Sequence, residues 1–283
     1  MINMTMDTTS FNSSTTPKEP QPNTPEDPAP PAPLITFLPP QGQLNYLGHN
    51  HPLNQPDNIP KTFLDAMSVR EKVYVQEQSI ALENEFDDDD HRSCHWVLYT
   101  SAFHSPQTST PPIPIGTIRL VPFPHPPHPL NGGIYLNNTL TNPSPQPNSP
   151  TTTYHHNENE PYIKLGRLAV IKEHRNKGLA RHLVRAAIDW MQTHPATFNP
   201  SPPSPSPTTL EMDVTAGGGE LPKWRGLFCI HAQEDAVTVW EKYGFRVDEK
   251  MGRWWEEGIP HVGMWLRVKV GREREDDVQS FGG

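Results

Sequence analysis

Apolar positions along this chain come in short blocks separated by long polar stretches. Leu34-Ile35-Thr36-Phe37-Leu38 predicts a first strand, stopped by Pro39-Pro40. Across 62–75, Phe63, Leu64, Met67, Val69 and Val73 recur close to the 3.6-residue period of an amphipathic helix. Residues 95–100 read as a strand, and the alternating run 115–121 reads as its partner. Residues 162–171 predict a buried strand. A helix follows from Lys177 to Met191, with Leu179, Leu183, Val184, Ala187, Ile188 and Met191 on one face and His194-Pro195 at its end. Residues 227–231 predict another buried strand. Asp235 to Tyr243 predicts a short helix stopped by Gly244, and 246–248 and 261–270 predict closing strands. Strands and helices interleaved in this order predict a single mixed α/β domain.

Composition explains the gaps. Thirty-two of the 35 prolines fall within 17–60, 106–150 and 195–207. Outside those stretches the patterned blocks sum to roughly 145 residues, an ordinary domain size. Residues 1–33 therefore read as a disordered tail and 34–271 as one domain. That domain is interrupted by low-complexity inserts at 101–114, 122–160 and 195–209, and 272–283 reads as a C-terminal tail. The formal net charge of −9 and the pI near 5.8 argue against nucleic-acid binding, which needs cations to displace counterions. No apolar run is long enough to span a membrane, and the first 33 residues show neither a signal nor a transit pattern, so the expectation is a cytoplasmic protein, with the nucleus left open. Cys94 and Cys229 are expected to be free thiols.

The chemistry concentrates in Leu168-Ala169-Val170-Ile171-Lys172-Glu173-His174-Arg175-Asn176-Lys177-Gly178-Leu179-Ala180, a strand, a basic turn and a helix start. Helix N-termini offer unpaired N–H groups and partial positive charge, which suits phosphate. Arg175, Lys177 and Arg181 sit where cations are disfavoured by about 0.3–1 kcal/mol each, which makes sense if an anion lies among them. Downstream stand His231-Ala232-Gln233 and Trp240-Glu241-Lys242-Tyr243-Gly244-Phe245. With Val69-Arg70-Glu71-Lys72-Val73-Tyr74-Val75-Gln76-Glu77-Gln78 and Glu256-Glu257-Gly258-Ile259-Pro260-His261-Val262-Gly263-Met264, these motifs resemble the GCN5-related N-acetyltransferase (GNAT) superfamily. The tail motif resembles small-molecule members of fungal and bacterial type, including amino-sugar-phosphate and general amine acetyltransferases.

The resemblance implies a sheet splayed between 162–171 and 227–231, with acetyl-CoA in the opening and no metal. It implies that the backbone of Leu168, Ala169 and Val170 pairs with the pantetheine arm. The N–H groups from Arg175 through Asn176, Lys177, Gly178 and Leu179 to Ala180 would hold the pyrophosphate. The reaction implied is direct transfer of the acetyl group to a primary amine of a small molecule, with glucosamine 6-phosphate as the first candidate and a homodimer as one possible assembly. Many members use a tyrosine as acid where this chain has Trp240, and an indole cannot serve near neutral pH. Tyr243, one turn on, is the candidate replacement. Glu77 at the end of the first helix and His231 at a strand end are candidate bases.

Each residue also has a structural reading: Tyr243 as packing, Glu77 as a surface carboxylate, His231 as a core histidine. The acidic run Glu83, Glu85, Asp87, Asp88, Asp89 and Asp90 reads as a solvated loop, or else as a field drawing in an ammonium. His125, His128, His155 and His156 lie in an insert with no predicted element to fix them, so no zinc site is expected there. Gly217-Gly218-Gly219 lacks the helix start of a P-loop, and the Pro-x-x-Pro spacings read as linker. Two rival functions remain open, a non-catalytic acyl-CoA-binding scaffold and a protein or peptide acetyltransferase.

Overall fold

The computed structural model of the chain describes residues 33–100, 111–142, 153, 155–157, 160–200 and 222–270. The N-terminal tail, most of 101–114, the Gly217–Gly219 run, most of the Pro-x-x-Pro stretches and the C-terminal tail lie outside them. Ten strands form one mixed sheet: β1 (Leu34–Leu38), β2 (Cys94–Tyr99), β3 (Pro114–Val121), β4 (Ile134–Leu136), β5 (Thr139–Leu140), β6 (Ile163–Val170), β7 (Leu227–Gln233), β8 (Arg246–Val247), β9 (Arg253–Glu256) and β10 (Ile259–Arg267). Their spatial order is β1-β2-β3-β6-β7-β10-β9-β4-β5, with β8 on β10. Most neighbours are antiparallel. The β6–β7 and β4–β9 pairs are parallel.

Among the described residues three α-helices flank the sheet: α1 (Lys61–Arg70), α2 (Leu179–Thr193) and α3 (Val237–Glu241). Alternation along β2 divides the two layers. Val97 and Tyr99 meet Ala66 of α1, whereas the Trp96 ring faces Trp190 of α2 at 5.9 Å. The apolar face foreseen for α2 is the buried one: Leu183, Val184, Ala187 and Met191 are fully enclosed. Gly244 closes the α3 turn at φ 93°, a left-handed conformation that favours glycine.

Three features depart from the sequence reading. The first helix does not stop near 75 but runs on as a π-helical segment over Glu71–Glu77. Such wide turns are rare and frequent at functional sites. The closing strands gain β9, which forms a hairpin with β10 through Glu257 (φ 50°) and Gly258 (φ 79°). The third correction concerns the insert 122–160, whose described part is not structureless. Residues 134–140 form the β4–β5 hairpin docked on β9, and His125, His128 and His156 pack on Tyr162 and Trp265. This segment covers the part of the α1-side sheet face occupied by Tyr162, Cys229, Trp254 and Trp265, where burying the aromatic rings offsets its ordering entropy.

Candidate active site

The parallel pair β6–β7 is registered only through Ile163↔Phe228, Lys164↔Cys229 and Leu165↔Ile230. Beyond that point the two strands part. On its other edge β6 carries a bulge. Thr117 pairs with Ala169 and Arg119 with Gly166, so Arg167 and Leu168 together face Ile118. Arg167 takes φ 50° to make it. A bulge bends its strand and raises the local twist, which turns the end of β6 away from β7. The Tyr74 hydroxyl, brought in by the π-helical segment, donates to the Leu168 carbonyl at 3.0 Å. Gln78 and Gln233 exchange two side-chain hydrogen bonds, 3.1 and 3.0 Å long, between that segment and the end of β7.

The opening is a cavity of about 500 Å³. Leu168, Ala169, Val170, Arg175, Ala180 and Trp240 contribute to its lining. Beyond β6, Asn176 (φ 62°) and Gly178 (φ 71°) turn the chain into α2. The first amide bonded back is Arg181 N–H, to the Gly178 carbonyl at 3.2 Å. Those of Asn176 to Ala180 have no backbone partner among the described residues. A Cβ placed at Gly178 would meet nothing within 4 Å, and the same holds at Gly166. A parted sheet, a bulged edge and an open, amide-lined helix start therefore fit a CoA thioester. The cations of the turn are partly engaged. Arg175 Nε donates to the Val170 carbonyl at 2.8 Å and its guanidinium pairs with Glu77 at 2.7 Å. Lys177 Nζ donates to the Glu173 carbonyl at 2.9 Å.

Away from that loop the cavity is walled by the insert and by β9–β10, with Asn137, Asn138, Lys164, His231, Glu256 and Glu257 among its lining residues. Glu257 Oε1 accepts the Asn137 N–H at 2.6 Å, and Oε2 accepts from Asn84 at 3.3 Å. His231 Nδ1 lies 3.5 Å from Glu256 Oε1, which also accepts the Trp254 indole N–H at 2.7 Å. Burial pushes the His231 imidazole down to about 3, with the Lys164 charge acting in the same direction, so the ring is neutral. Burial would raise the Glu256 carboxyl, but His231, His261 and Lys164 outweigh it and hold the group ionised, below the usual carboxylate range.

The structure brings His231 to the cavity but not the other two candidate proton carriers. Glu77 is tied to Arg175 on the surface. Tyr243 is half-buried against Trp240, with ring centroids 6.3 Å apart, and is absent from the lining. Burial raises its hydroxyl pKa further.

Part of the acidic run is buried rather than solvated, while Glu83 and Asp88 stay exposed. Asp90 is fully buried and accepts from Arg70 at 2.6 and 3.1 Å and from Arg119 at 2.8 Å. Glu85 pairs with Arg70 at 2.6 Å and with Arg167 at 3.1 Å, and Asp87 pairs with Arg119 at 2.6 Å and Arg167 at 3.0 Å. This network grips the bulge residue Arg167, so Glu85, Asp87 and Asp90 shape the site from beneath and are not free to draw in an ammonium. Tyr74, Gln78, Lys164 and Glu256 escaped sequence reasoning. The tail motif contained Glu256, but only the β9–β10 hairpin turns it inward.

The split sheet beside an amide-lined helix start defines a class of fold, one with a cleft between parted strands open to an extended, phosphate-bearing ligand. Residues 63–198 match the model of the acetyltransferase (GNAT) family. The chain is similar to the uncharacterized N-acetyltransferase YjcF of Bacillus subtilis (strain 168), 24% identical over 201 residues that cover 71% of this chain and 89% of the relative. Among solved structures it is similar to an acyl-CoA N-acyltransferase from Pseudomonas aeruginosa, with 15% identity, 84% of this chain and 100% of that chain covered, and a TM-score of 0.43. It is also similar to Escherichia coli ElaA, with 12% identity, 83% and 100% covered, and a TM-score of 0.45. No described helix is long and apolar enough to cross a membrane.

Proposed function

We propose that this protein transfers the acetyl group of acetyl-CoA to a primary amine of a small molecule by direct attack on the thioester. The observation that carries this reading is the parting of β6 and β7 beyond Leu165↔Ile230, next to the unused amides of Asn176 to Ala180. In this reading Leu168, Ala169 and Val170 offer their backbone to the pantetheine arm, and a β6 N–H polarises the acetyl carbonyl where negative charge develops. The amides of Asn176, Lys177, Gly178, Leu179 and Ala180 take the pyrophosphate, with Arg175 beside them.

The acceptor enters against Glu256. A carboxylate held ionised is a poor proton acceptor and a good ammonium anchor, so Glu256 positions the amine. His231 acts as a positioning residue that orients Glu256. An alkyl ammonium, whose pKa is near 10, must shed a proton to solvent before attack, and the nitrogen loses a second proton to solvent or to the departing thiolate as the amide forms. The amine nitrogen then bonds to the acetyl carbon, the carbon–sulfur bond breaks, and CoA departs as a thiolate that needs no strong acid, which is compatible with Trp240 in the lining. Lys164, on the same wall as Glu256, suits an acceptor that also carries an anion. Glucosamine 6-phosphate, a phosphorylated amine, is the first candidate.

Calorimetry with acetyl-CoA, using desulfo-CoA and ATP as comparators, tests the cofactor site. Micromolar binding weakened by Arg175→Ala and Lys177→Ala is the expected result. No binding at millimolar acetyl-CoA would overturn the reading. An amine panel scored by CoA release then identifies the acceptor.

A further inference from the structure

On the α1-side face of the sheet, a side chain of the proline-rich insert meets two side chains of β7. Cys229 and His231 are two positions apart on one strand, so both point to this face. Phe228 and Ile230 point to the other, into the core shared with α2. One donor atom from each of His128, Cys229 and His231 lies within 4.8 Å of the other two.

The environment is specific. Cys229 is fully buried, and among the described residues its thiol makes a long contact, 3.9 Å, to the Ile230 carbonyl. The two nitrogens of His231 are differently placed. Nδ1 faces the Glu256 carboxylate, while Nε2 is buried and has no hydrogen-bond partner among the described residues. A ring that gives its Nδ1–H to a carboxylate presents the Nε2 lone pair, the arrangement by which carboxylates orient metal-binding imidazoles. Tyr162 and Trp265 wall the position. The His128 ring lies 5.5 Å from Tyr162 and 5.4 Å from Trp265.

We propose that His128, Cys229 and His231 form a zinc site that fastens the 122–160 insert to β7. One thiolate and two imidazoles suit zinc, whereas magnesium and calcium prefer oxygen donors. In a tetrahedral site such donors stand about 3.4–3.6 Å apart, so the trio closes by up to about 1.2–1.4 Å on binding. The Cys229 thiol gives its proton to solvent as the metal binds, both imidazoles bind neutral, and water takes the fourth position.

His128 precedes the β4–β5 hairpin that supplies Asn137 and Asn138 to the cavity wall. Zinc at this point would hold that wall in place. The sequence reading gave these histidines nothing to fix them, but the packing of the insert on Tyr162 and Trp265 does fix His128. The proposal does not depend on the acetyltransferase reading, and its test does not use activity.

The full chain, stripped of metal by a chelator, is titrated with Co²⁺ and then with Zn²⁺. The expected result is one Co²⁺ per chain, with a near-ultraviolet thiolate-to-cobalt band and the intense visible bands of four-coordination, displaced by one Zn²⁺. Cys229→Ala abolishes the thiolate band, and both it and His128→Ala weaken zinc binding by about 10- to 100-fold or more. His125→Ala, a nearby residue whose Nε2 lies 3.0 Å from the Tyr162 carbonyl, leaves the cobalt spectrum intact. Circular dichroism checks that each variant is folded. If a variant fails to fold, X-ray absorption on the zinc-loaded wild-type chain decides the matter, with one sulfur and two imidazole nitrogens expected in the first shell. A wild-type chain with no thiolate band, zinc binding weaker than millimolar, unchanged affinity in Cys229→Ala, or a zinc shell without sulfur would each overturn the proposal.

Discussion

Replacing Asp90 with alanine probes the charged network under the site. Its carboxylate accepts from Arg70 at 2.6 and 3.1 Å, from Arg119 at 2.8 Å and from the Asp87 N–H at 3.0 Å. Arg70 and Asp90 are each 1% exposed. Removing one partner of a buried ion pair typically costs about 3–5 kcal/mol, because the remaining charge stays desolvated. Here Arg70 keeps Glu85 and Arg119 keeps Asp87, each at 2.6 Å, so Asp90→Ala should fall at the lower end, about 3 kcal/mol. At about 2–4 °C per kcal/mol for a domain of this size, Tm should drop by about 6–12 °C. Urea and thermal unfolding, followed by tryptophan fluorescence, would measure both quantities. Asp90→Ala combined with Arg119→Met should be less than additive, since both act on one network.

The pH dependence has a definite sign. Burial would raise the Asp90 carboxyl, but Arg70 and Arg119 outweigh it and hold the group well below the usual range. Its contribution is therefore complete above the unfolded value near 3.9 and is lost as pH falls from there toward the folded value. Wild type should destabilise steeply below about pH 4, and Asp90→Ala less steeply. A loss under about 1 kcal/mol for Asp90→Ala, the range of exposed ion pairs, would refute the buried network.

Three further outcomes are expected. Tyr243→Phe should keep kcat within about twofold, because the hydroxyl is outside the cavity; a drop beyond about 10-fold in steady-state assays, the low end for general-acid catalysis being near 100-fold, would restore it as the acid. Glu256→Gln should raise the acceptor KM by about 10- to 100-fold, the worth of a hydrogen bond to a charged group, while acetyl-CoA affinity by calorimetry stays unchanged. Gly178→Ala forces a side chain into φ 71° and puts a methyl group in the space beside the amide loop. It should cost about 1–2 kcal/mol in stability and weaken acetyl-CoA binding, and unaltered binding would move the pyrophosphate elsewhere.

Local pattern was enough for β1, β2, β3, β6, β7, α2 and the α3 turn, because one buried face imposes its period on each segment. The basic turn before α2 was readable for a related reason: Gly178 and the following helix start are set by adjacent residues. Three decisions lay beyond the sequence. The π-helical turn at 71–77, which aims Tyr74 at the Leu168 carbonyl, leaves no period to detect in so short a run. The acidic run looks solvated until Arg70, Arg119 and Arg167, up to 82 residues away from Glu85, converge on it. The histidines of the insert looked unanchored because what fixes them, Tyr162 just before β6 and Trp265 on β10, lies on opposite sides of β7 in the chain. Periodicity reports which way a residue faces within its own element. What stands opposite it is decided by how the elements pair, and here that pairing turned an acidic loop into a buried network and a polar insert into a wall of the site.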